Sequence, residues 1–132
     1  MASKDLSNLG KDLKRALDKT LREVVVTIEG ELQSDTVSPT DTSRFRSNWM
    51  LSEGTPDTST TEATTPTPKA SSLRITSDKE YWLSNNLEYA QAVTIGERVV
   101  SKPKTWWKDF RSSRIPKIVK EAVNTVKAEE GL

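Results

Sequence analysis

The sequence has 132 residues, a length that suits one domain with a modest core. It contains no cysteine and no histidine, which excludes disulfides, thiolate nucleophiles and zinc–thiolate sites and removes the commonest general base. The formal net charge is +1, the mean hydropathy is −0.64, and no apolar run approaches the length of a membrane span, so we expect no membrane partner.

The first part of the chain predicts one long amphipathic helix over residues 1–34. Apolar residues recur at steps of three and four from Leu6 to Leu32, with charged residues between them. The run 24–28 is β-prone, so a short buried strand stays open as a competing interpretation. The helix is favoured because the apolar stripe passes through this run without a turn signal, and Gly30 and residues 34–39 then supply the stop.

Residues 45–85 predict a small antiparallel sheet in hairpin form. Residues 47–52 alternate as a strand that buries Trp49 and Leu51. Leu73 and Ile75 mark a second strand, and residues 80–85 read as a third. Leu83 is expected in the core of this sheet.

A long loop interrupts this hairpin. In residues 54–68, seven of the fifteen residues are Thr and three are Pro, and no apolar residue is larger than Ala. Such a segment cannot bury a core of its own. We therefore expect a flexible loop over residues 54–71.

The last third predicts a turn or short helix at residues 87–93 and a C-terminal helix over residues 104–129. Pro116 interrupts the helical spacing and either kinks one helix or lies in the first turn of a second. The order helix, strand, hairpin, short helix, helix is typical of an α+β domain. It places a small antiparallel sheet under two helices that pack on one face.

Acidic side chains are the remaining candidates for catalysis. A pair of acids divides the general acid and base roles only where a cleft separates their pKa values, and no cleft is indicated here. No glycine-rich phosphate loop or nucleophile elbow is present. We expect no enzymatic activity, no cofactor and no metal, with the acids on the solvated surface. The acids considered are Asp41, Asp78, Glu80, Glu129 and Glu130.

Segment 98–120 carries eight basic residues and one acid, so it is +7 while the rest of the chain is −6. This asymmetry indicates an acidic partner, either nucleic acid or a protein surface. Basic residues beside Trp106, Trp107 and Phe110 are typical of a nucleic-acid surface, but helical spacing also places Trp107 and Phe110 in the core. A small DNA-binding protein therefore stays open as an alternative. Its basic surface would comprise Lys104, Lys108, Arg111 and Arg114.

Two short stretches carry the most specific pattern. Residues 39–49 read PTDTSRFRSNW, and residues 83–90 read LSNNLEYA, followed by Thr94-Ile95-Gly96. In order and spacing they resemble the tail-completion or neck proteins of tailed bacteriophages, which combine a P-x-D-T-G-like turn into a strand with a later N-N-x-x-Y-A stretch. Ser43 stands where that family usually has Gly, and Thr94-Ile95 replaces its glutamate–tyrosine pair.

The resemblance implies a structural virion protein, an α+β subunit that assembles as a ring, commonly a hexamer, at the head-proximal end of the tail. The implied partners are further copies of the chain, the tail tube protein and the head–tail connector, with transient contact to packaged DNA. Assembly would occur in the host cytoplasm, and the role is either tail terminator or head–tail joining. The residues expected at assembly contacts are Arg44, Arg46, Thr58, Thr61, Asn85, Asn86 and Tyr89. Those expected to cap the turn or fill the core are Asp41, Trp49, Leu83 and Trp107.

Overall fold

The computed structural model describes residues 6–39, 43–97, 99 and 102–131. Strands β1 (Trp49–Glu53) and β2 (Tyr81–Asn85) form one antiparallel sheet, in which Leu51 pairs with Leu83. A 3-10 turn (Ala70–Ser72) lies in the long connection between them. The predicted α+β class is confirmed, with the long N-terminal helix and the C-terminal helix packed against the sheet. The helices are α1 (Leu6–Leu32), α2 (Arg44–Ser47), α3 (Ala90–Thr94), α4 (Trp106–Asp109) and α5 (Ile115–Glu130).

Helix α1 is about 40 Å long at 1.5 Å per residue and antiparallel to α5. Glu31 near its end contacts Arg114 at the start of α5, and Arg15 contacts Glu130 at the end of α5. The run 24–28 is helical, so the strand interpretation of that run is wrong. Val24, Val25 and Ile28 of this run pack on the core because the stripe repeats at helical spacing, while Val26 is exposed.

The second predicted strand, at Leu73 and Ile75, is also wrong. Ile75 is buried, but the backbone around it belongs to neither strand of the sheet. The Tyr81 hydroxyl accepts a hydrogen bond from the Thr76 amide at 2.8 Å and donates one to the Arg74 carbonyl at 3.1 Å. One side chain thus satisfies main-chain groups that a neighbouring strand would otherwise pair, which the alternation of apolar residues could not reveal.

Pro116 lies at the second residue of α5, just after a five-residue π-helical turn (Phe110–Arg114) that joins α4 to α5. The wider turn accommodates a residue that lacks an amide and whose ring crowds the preceding turn. Both predicted options hold in part. The helical run is continuous from residue 106 to 130, and the proline sits in the first turn of its last segment.

Aromatic rings occupy the centre of the main core. The Phe45 ring meets Trp49 and Trp106 edge-on, with centroids 5.6 and 5.9 Å apart, and Trp107 stacks on Trp49 at 5.4 Å. Trp49 is confirmed as a core residue, with 5% of its surface exposed. Trp106 is the buried member of the tryptophan pair, and the half-buried Trp107 packs against the core from its edge.

A second, smaller core lies between α1, the sheet and the 3-10 turn. The half-buried Leu83 packs against both cores and so joins them, as expected of a core residue of the sheet. The buried members of the smaller core are Val25, Leu51, Ala70 and Ile75.

Candidate functional site

The connection between β1 and β2 runs beside the sheet as a strap, defined here as residues 54–69. Asn48, which is fully buried, fixes it to the first of the two motif stretches. The Thr61 amide donates to Asn48 Oδ1 at 2.8 Å, and Asn48 Nδ2 donates to the carbonyls of Thr61 at 3.0 Å and Arg44 at 2.7 Å. The side-chain amide of Asn48 therefore pairs both the N–H and the C=O of Thr61, as a neighbouring strand would.

The second motif stretch binds the same strap. Asn86 Nδ2 donates to the carbonyls of Asp57 at 2.6 Å and Ser59 at 3.2 Å. The Ser84 hydroxyl also donates to the Asp57 carbonyl, at 2.9 Å. Residues 43–49 and 83–90 lie side by side because Trp49 pairs with Asn85 in the sheet, and both stretches also bind residues 57–61 of the strap.

Two buried polar residues hold the C-terminal end of the strap, namely Glu29 in α1 and Gln33 directly after that helix. The Glu29 carboxylate, 2% exposed, accepts hydrogen bonds from the Lys69 and Ala70 amides at 2.9 and 3.0 Å. Gln33 Nε2 donates to the carbonyls of Trp49 and Thr67, both at 3.3 Å. The flexibility expected for residues 54–71 stays a prediction. It can be measured at the hydrogen-bonded amides of this segment, such as those of Lys69 and Ala70.

Both motif arginines are half-buried and have contacts within the chain. Arg44 Nη2 lies 2.8 Å from Glu62 Oε1 on the strap. Arg46 donates to the Gln33 carbonyl at 3.3 Å and to the Ser43 hydroxyl at 3.0 Å. The expected assembly role of these arginines stays a prediction, and both have partners within the chain itself.

Ser43 precedes α2 in a left-handed conformation, with φ of 64°. It is the position at which the resembled family usually has Gly, the residue that adopts positive φ without steric cost. The Ser43 carbonyl accepts bonds from the Ser47 amide and hydroxyl, at 3.1 and 2.7 Å. Asp41, expected to cap this turn, lies outside the described residues.

Three of the residues expected at assembly contacts line one cleft of about 190 Å³, namely Arg44, Asn86 and Tyr89. Thr61 does not line it and is hydrogen-bonded to Asn48. Thr58 is exposed on the strap. Asn85 and Arg46 serve internal contacts instead, since Asn85 Nδ2 donates to the Phe45 carbonyl at 2.8 Å.

The predicted basic surface is divided between different contacts. Lys104 and Lys108 are exposed, and neither forms an ion pair within the described part of the chain. The Arg111 guanidinium lies 5.6 Å from the centre of the Trp107 ring. Arg114 Nε donates to Glu31 at 2.7 Å, and this hydrogen bonding raises the pKa of Arg114 above its ordinary value. Arg114 is thereby committed to joining α1 and α5.

The acidic candidates serve ion pairs or lie exposed. Glu130 Oε1 lies 3.0 Å from Arg15 Nε and 3.1 Å from Lys19 Nζ. Hydrogen bonds from Arg15 and then Lys19 lower the pKa of the Glu130 carboxyl. Asp78 is 3.9 Å from Lys14 Nζ, and Glu80 and Glu129 are exposed. Over residues 6–39, 43–97, 99 and 102–131, no group of three acidic side chains is placed to hold a metal ion.

An exposed leucine stripe runs along the first half of α1. It comprises Leu6, Leu9, Leu13 and Leu17, with exposures of 84, 41, 48 and 59%. These leucines continue the apolar line that the second half of α1 buries. Because α5 ends beside Arg15, the turns of α1 before that residue extend past it. Contiguous exposed apolar patches are commonly interaction sites, so this stripe is a candidate contact surface.

Sequence reasoning missed the polar anchors of the strap. Glu29 offered a signal, since it occupies the apolar line of α1, four residues after Val25 and three before Leu32. A charged residue at such a position is buried only with partners. Asn48 and Gln33 gave no comparable signal, because their partners are main-chain groups of a segment without periodicity.

The chain matches no protein-family model, and comparisons with curated proteins and with solved structures gave no match. None of the helices in the described residues is both long and apolar enough to cross a membrane. The contacts define the molecule as an α+β domain with a side-chain-anchored strap and an exposed leucine stripe.

Proposed function

We propose that this chain is a structural subunit of the neck of a tailed bacteriophage. It forms a ring, with the hexamer as the expected size, that completes or terminates the tail and joins it to the head connector. Its partners are further copies of itself, the tail tube protein and the connector protein, in a channel through which packaged DNA passes. It acts without a cofactor and not as an enzyme.

The observation that carries this proposal is the meeting of the two motif stretches on the strap. Asn48 in the first and Asn86 in the second both bind main-chain groups of residues 57–61. The two stretches are also direct neighbours in the sheet, where Trp49 pairs with Asn85, so strand pairing and the strap hold them at one place. This makes the resemblance one structural feature instead of two independent short matches.

The exposed leucine stripe supports an assembly role. A helix that keeps four exposed leucines in line gains free energy when a partner covers them. A subunit of a ring or stack needs at least one such surface.

Electron microscopy of particles made with this gene disrupted tests the proposal. Filled heads beside separate tails of normal length would support a joining role, and tails of uncontrolled length would support a terminator role. Expression of the intact chain from a plasmid should restore joined particles. Infectious particles of normal shape without the chain would contradict the proposal.

The DNA-binding alternative keeps one specific observation in its favour. Lys104, Lys108, Lys117 and Lys120 are exposed and form no ion pair within the described residues. If all four neutralise phosphates, the logarithm of the binding constant should fall with the logarithm of salt with a slope of about −3.6. Binding with that slope, reduced in Lys104→Glu with Lys108→Glu, would favour the alternative, and salt-independent or absent binding would favour the neck role.

A further inference from the structure

We propose that a cleft beside the π-helical turn binds a small organic anion with an apolar body. This basic cleft has a volume of about 390 Å³ and lies between residues 36–37, residues 102–103 and one face of the helical run 106–117. Its volume falls in the range of small-molecule sites, which is about 300–1,000 Å³. The inference goes beyond the proposed neck role and does not rest on it.

Apolar groups form the floor and one wall of the basic cleft. Trp106 and Phe110 lie four residues apart, so they share one face of the helical run. They are only 5 and 3% exposed, and both belong to the main core. The half-buried Val37 and the exposed Pro103 line the cleft from the two other segments. An apolar body bound here would therefore contact the edge of the main core.

Contacts within the chain hold this side of the cleft in place. Trp106 Nε1 donates to the Val93 carbonyl at 2.9 Å, and the Trp106 amide donates to the Pro103 carbonyl at 3.0 Å. Gly96 has φ of 88°, and a Cβ there would lie 2.5 Å from the Lys104 carbonyl oxygen, so the chain packs directly on residue 104. The cleft is thus formed without a ligand, as most small-molecule sites are.

The charged residues that line the basic cleft leave positive charge without a partner. Lys102 is half-buried and Lys117 is exposed, and neither forms an ion pair within the described part of the chain. Arg114 also lines the cleft, but Glu31 matches its charge. Asp109 is the one acid among the lining residues. Two lysines against one carboxylate suit a ligand with a single negative charge.

The surroundings of Lys102 and Ser113 indicate where the anionic group would be recognised. A half-buried ammonium group has lost part of its hydration, and a bound anion would supply the missing counterion. The Ser113 hydroxyl lines the same cleft and forms no hydrogen bond within the described residues, so it is free to donate. Lys102, Lys117 and Ser113 would thus bind the anionic group, while Trp106 and Phe110 contact the apolar body.

Two fluorescent dyes test the inference on the purified chain. Anilinonaphthalene sulfonate is an aromatic anion, and phenylnaphthylamine is its neutral analogue, so the pair separates the charge contact from the apolar contact. Lys102→Gln with Lys117→Gln should weaken binding of the sulfonate about tenfold and leave binding of the neutral dye within about twofold. The control, Lys108→Gln with Lys120→Gln, removes the same charge at exposed positions outside the cleft. It should change either affinity less than about twofold.

A bulky residue in the cleft provides a second readout. Ser113→Trp should abolish saturable binding of both dyes, because the indole ring would occupy the space of the ligand. Ser112→Trp is the matched control, since Ser112 is its exposed neighbour and does not line the cleft. Circular dichroism of each variant checks that the fold survives.

The leucine stripe is another exposed apolar surface to which a dye could bind. Leu13→Gln with Leu17→Gln should therefore leave binding of the sulfonate unchanged. Sulfonate binding that is weakened only by the Lys102 and Lys117 pair and abolished only by Ser113→Trp would support the inference. It would be overturned by equal losses in test and control variants, by binding that is lost with the leucines and kept in Ser113→Trp, or by the absence of saturable binding to the intact chain.

Discussion

Asn48 is fully buried, and both ends of its side-chain amide are hydrogen-bonded. Because Asn48 directly precedes Trp49, its hydrogen bonds link the strap to the aromatic cluster of the main core. Removing its amide would leave the main-chain N–H and C=O of Thr61 without these partners in a partly buried place. The cost of unpaired buried groups generally exceeds the gain from a single hydrogen bond.

We therefore expect Asn48→Ala to lower the free energy of unfolding by about 2–3 kcal/mol. Urea denaturation followed by tryptophan fluorescence measures this change. Asn124→Ala on the exposed face of α5 is the control and should change the free energy by less than about 0.5 kcal/mol. Equal effects of the two variants would mean that the strap contact contributes nothing.

Ser43 adopts a left-handed conformation that costs a residue with a Cβ about 1–2 kcal/mol. Ser43→Gly removes this cost, and Ser43→Ala keeps it. Both variants lose the contact between the Ser43 hydroxyl and Arg46, so their difference isolates the backbone term. We expect Ser43→Gly to be about 1 kcal/mol more stable than Ser43→Ala by urea denaturation, and the reverse order would contradict a positive φ at this position.

At the scale of elements, helical periodicity predicted α1 and the C-terminal helix to within a few residues, because apolar spacing and packing act in the same direction. The strand expected at Leu73 and Ile75 failed because Tyr81 supplies the partner groups. The strap anchors could not be predicted, since hydrogen bonds from side chains to irregular main chain leave no periodic trace. The binding of both motif stretches to the strap was not predicted either, for the same reason.

Glu29 links α1 to the end of the strap, so its removal should act on an element far away in sequence. Glu29→Ala leaves the Lys69 and Ala70 amides unpaired, and we expect a loss of about 3 kcal/mol in unfolding free energy. Hydrogen exchange should show these two amides protected in the intact chain and exposed in the variant. Glu23→Ala, at an exposed position on the same helix, should change neither quantity, and unprotected amides in the intact chain would support a flexible strap instead.

Asp18 connects α1 to the turn before β2. The Ser77 amide and then the Ser77 hydroxyl lower the pKa of Asp18 from 3.8 to about 2. A carboxyl whose pKa is lower in the folded chain adds stability above pH 3.8 and loses it as the pH falls towards 2. We expect a contribution of about 1 kcal/mol, reduced by solvent screening because the side chain is partly exposed.

Melting temperature against pH checks this contribution. Asp18→Asn should reduce the fall in melting temperature between pH 3.8 and about 2. At higher pH, the melting temperatures of the variant and of the intact chain should change equally with pH. A variant that is as acid-sensitive as the intact chain would show that Ser77 does not hold the carboxylate in solution.

At the scale of the whole molecule, the strap has its anchors on both sides of an exposed tip. Thr61 and Thr67 are bonded to Asn48 and Gln33, while residues 62–65 between them are exposed. Deleting the whole strap would leave Glu29 and Asn48 as buried polar groups without their strap partners. The chain would be destabilised, so a loss of assembly would not report on contacts with other proteins. A change at the tip alone separates a contact of the tip with another protein, as the proposed assembly would require, from the folding of this chain.

Thr64→Trp with Thr65→Trp adds bulk at this tip. We expect the melting temperature to stay within about 2 °C of that of the intact chain, because no packed group is displaced. The number of infectious particles should fall at least tenfold in a complementation assay if the tip touches another protein of the neck. Asn124→Trp, which adds bulk to an exposed position of α5, controls for a general effect of surface tryptophan. A tip variant that assembles as well as this control would show that the tip contacts no other protein. The strap would then have only its contacts within this chain.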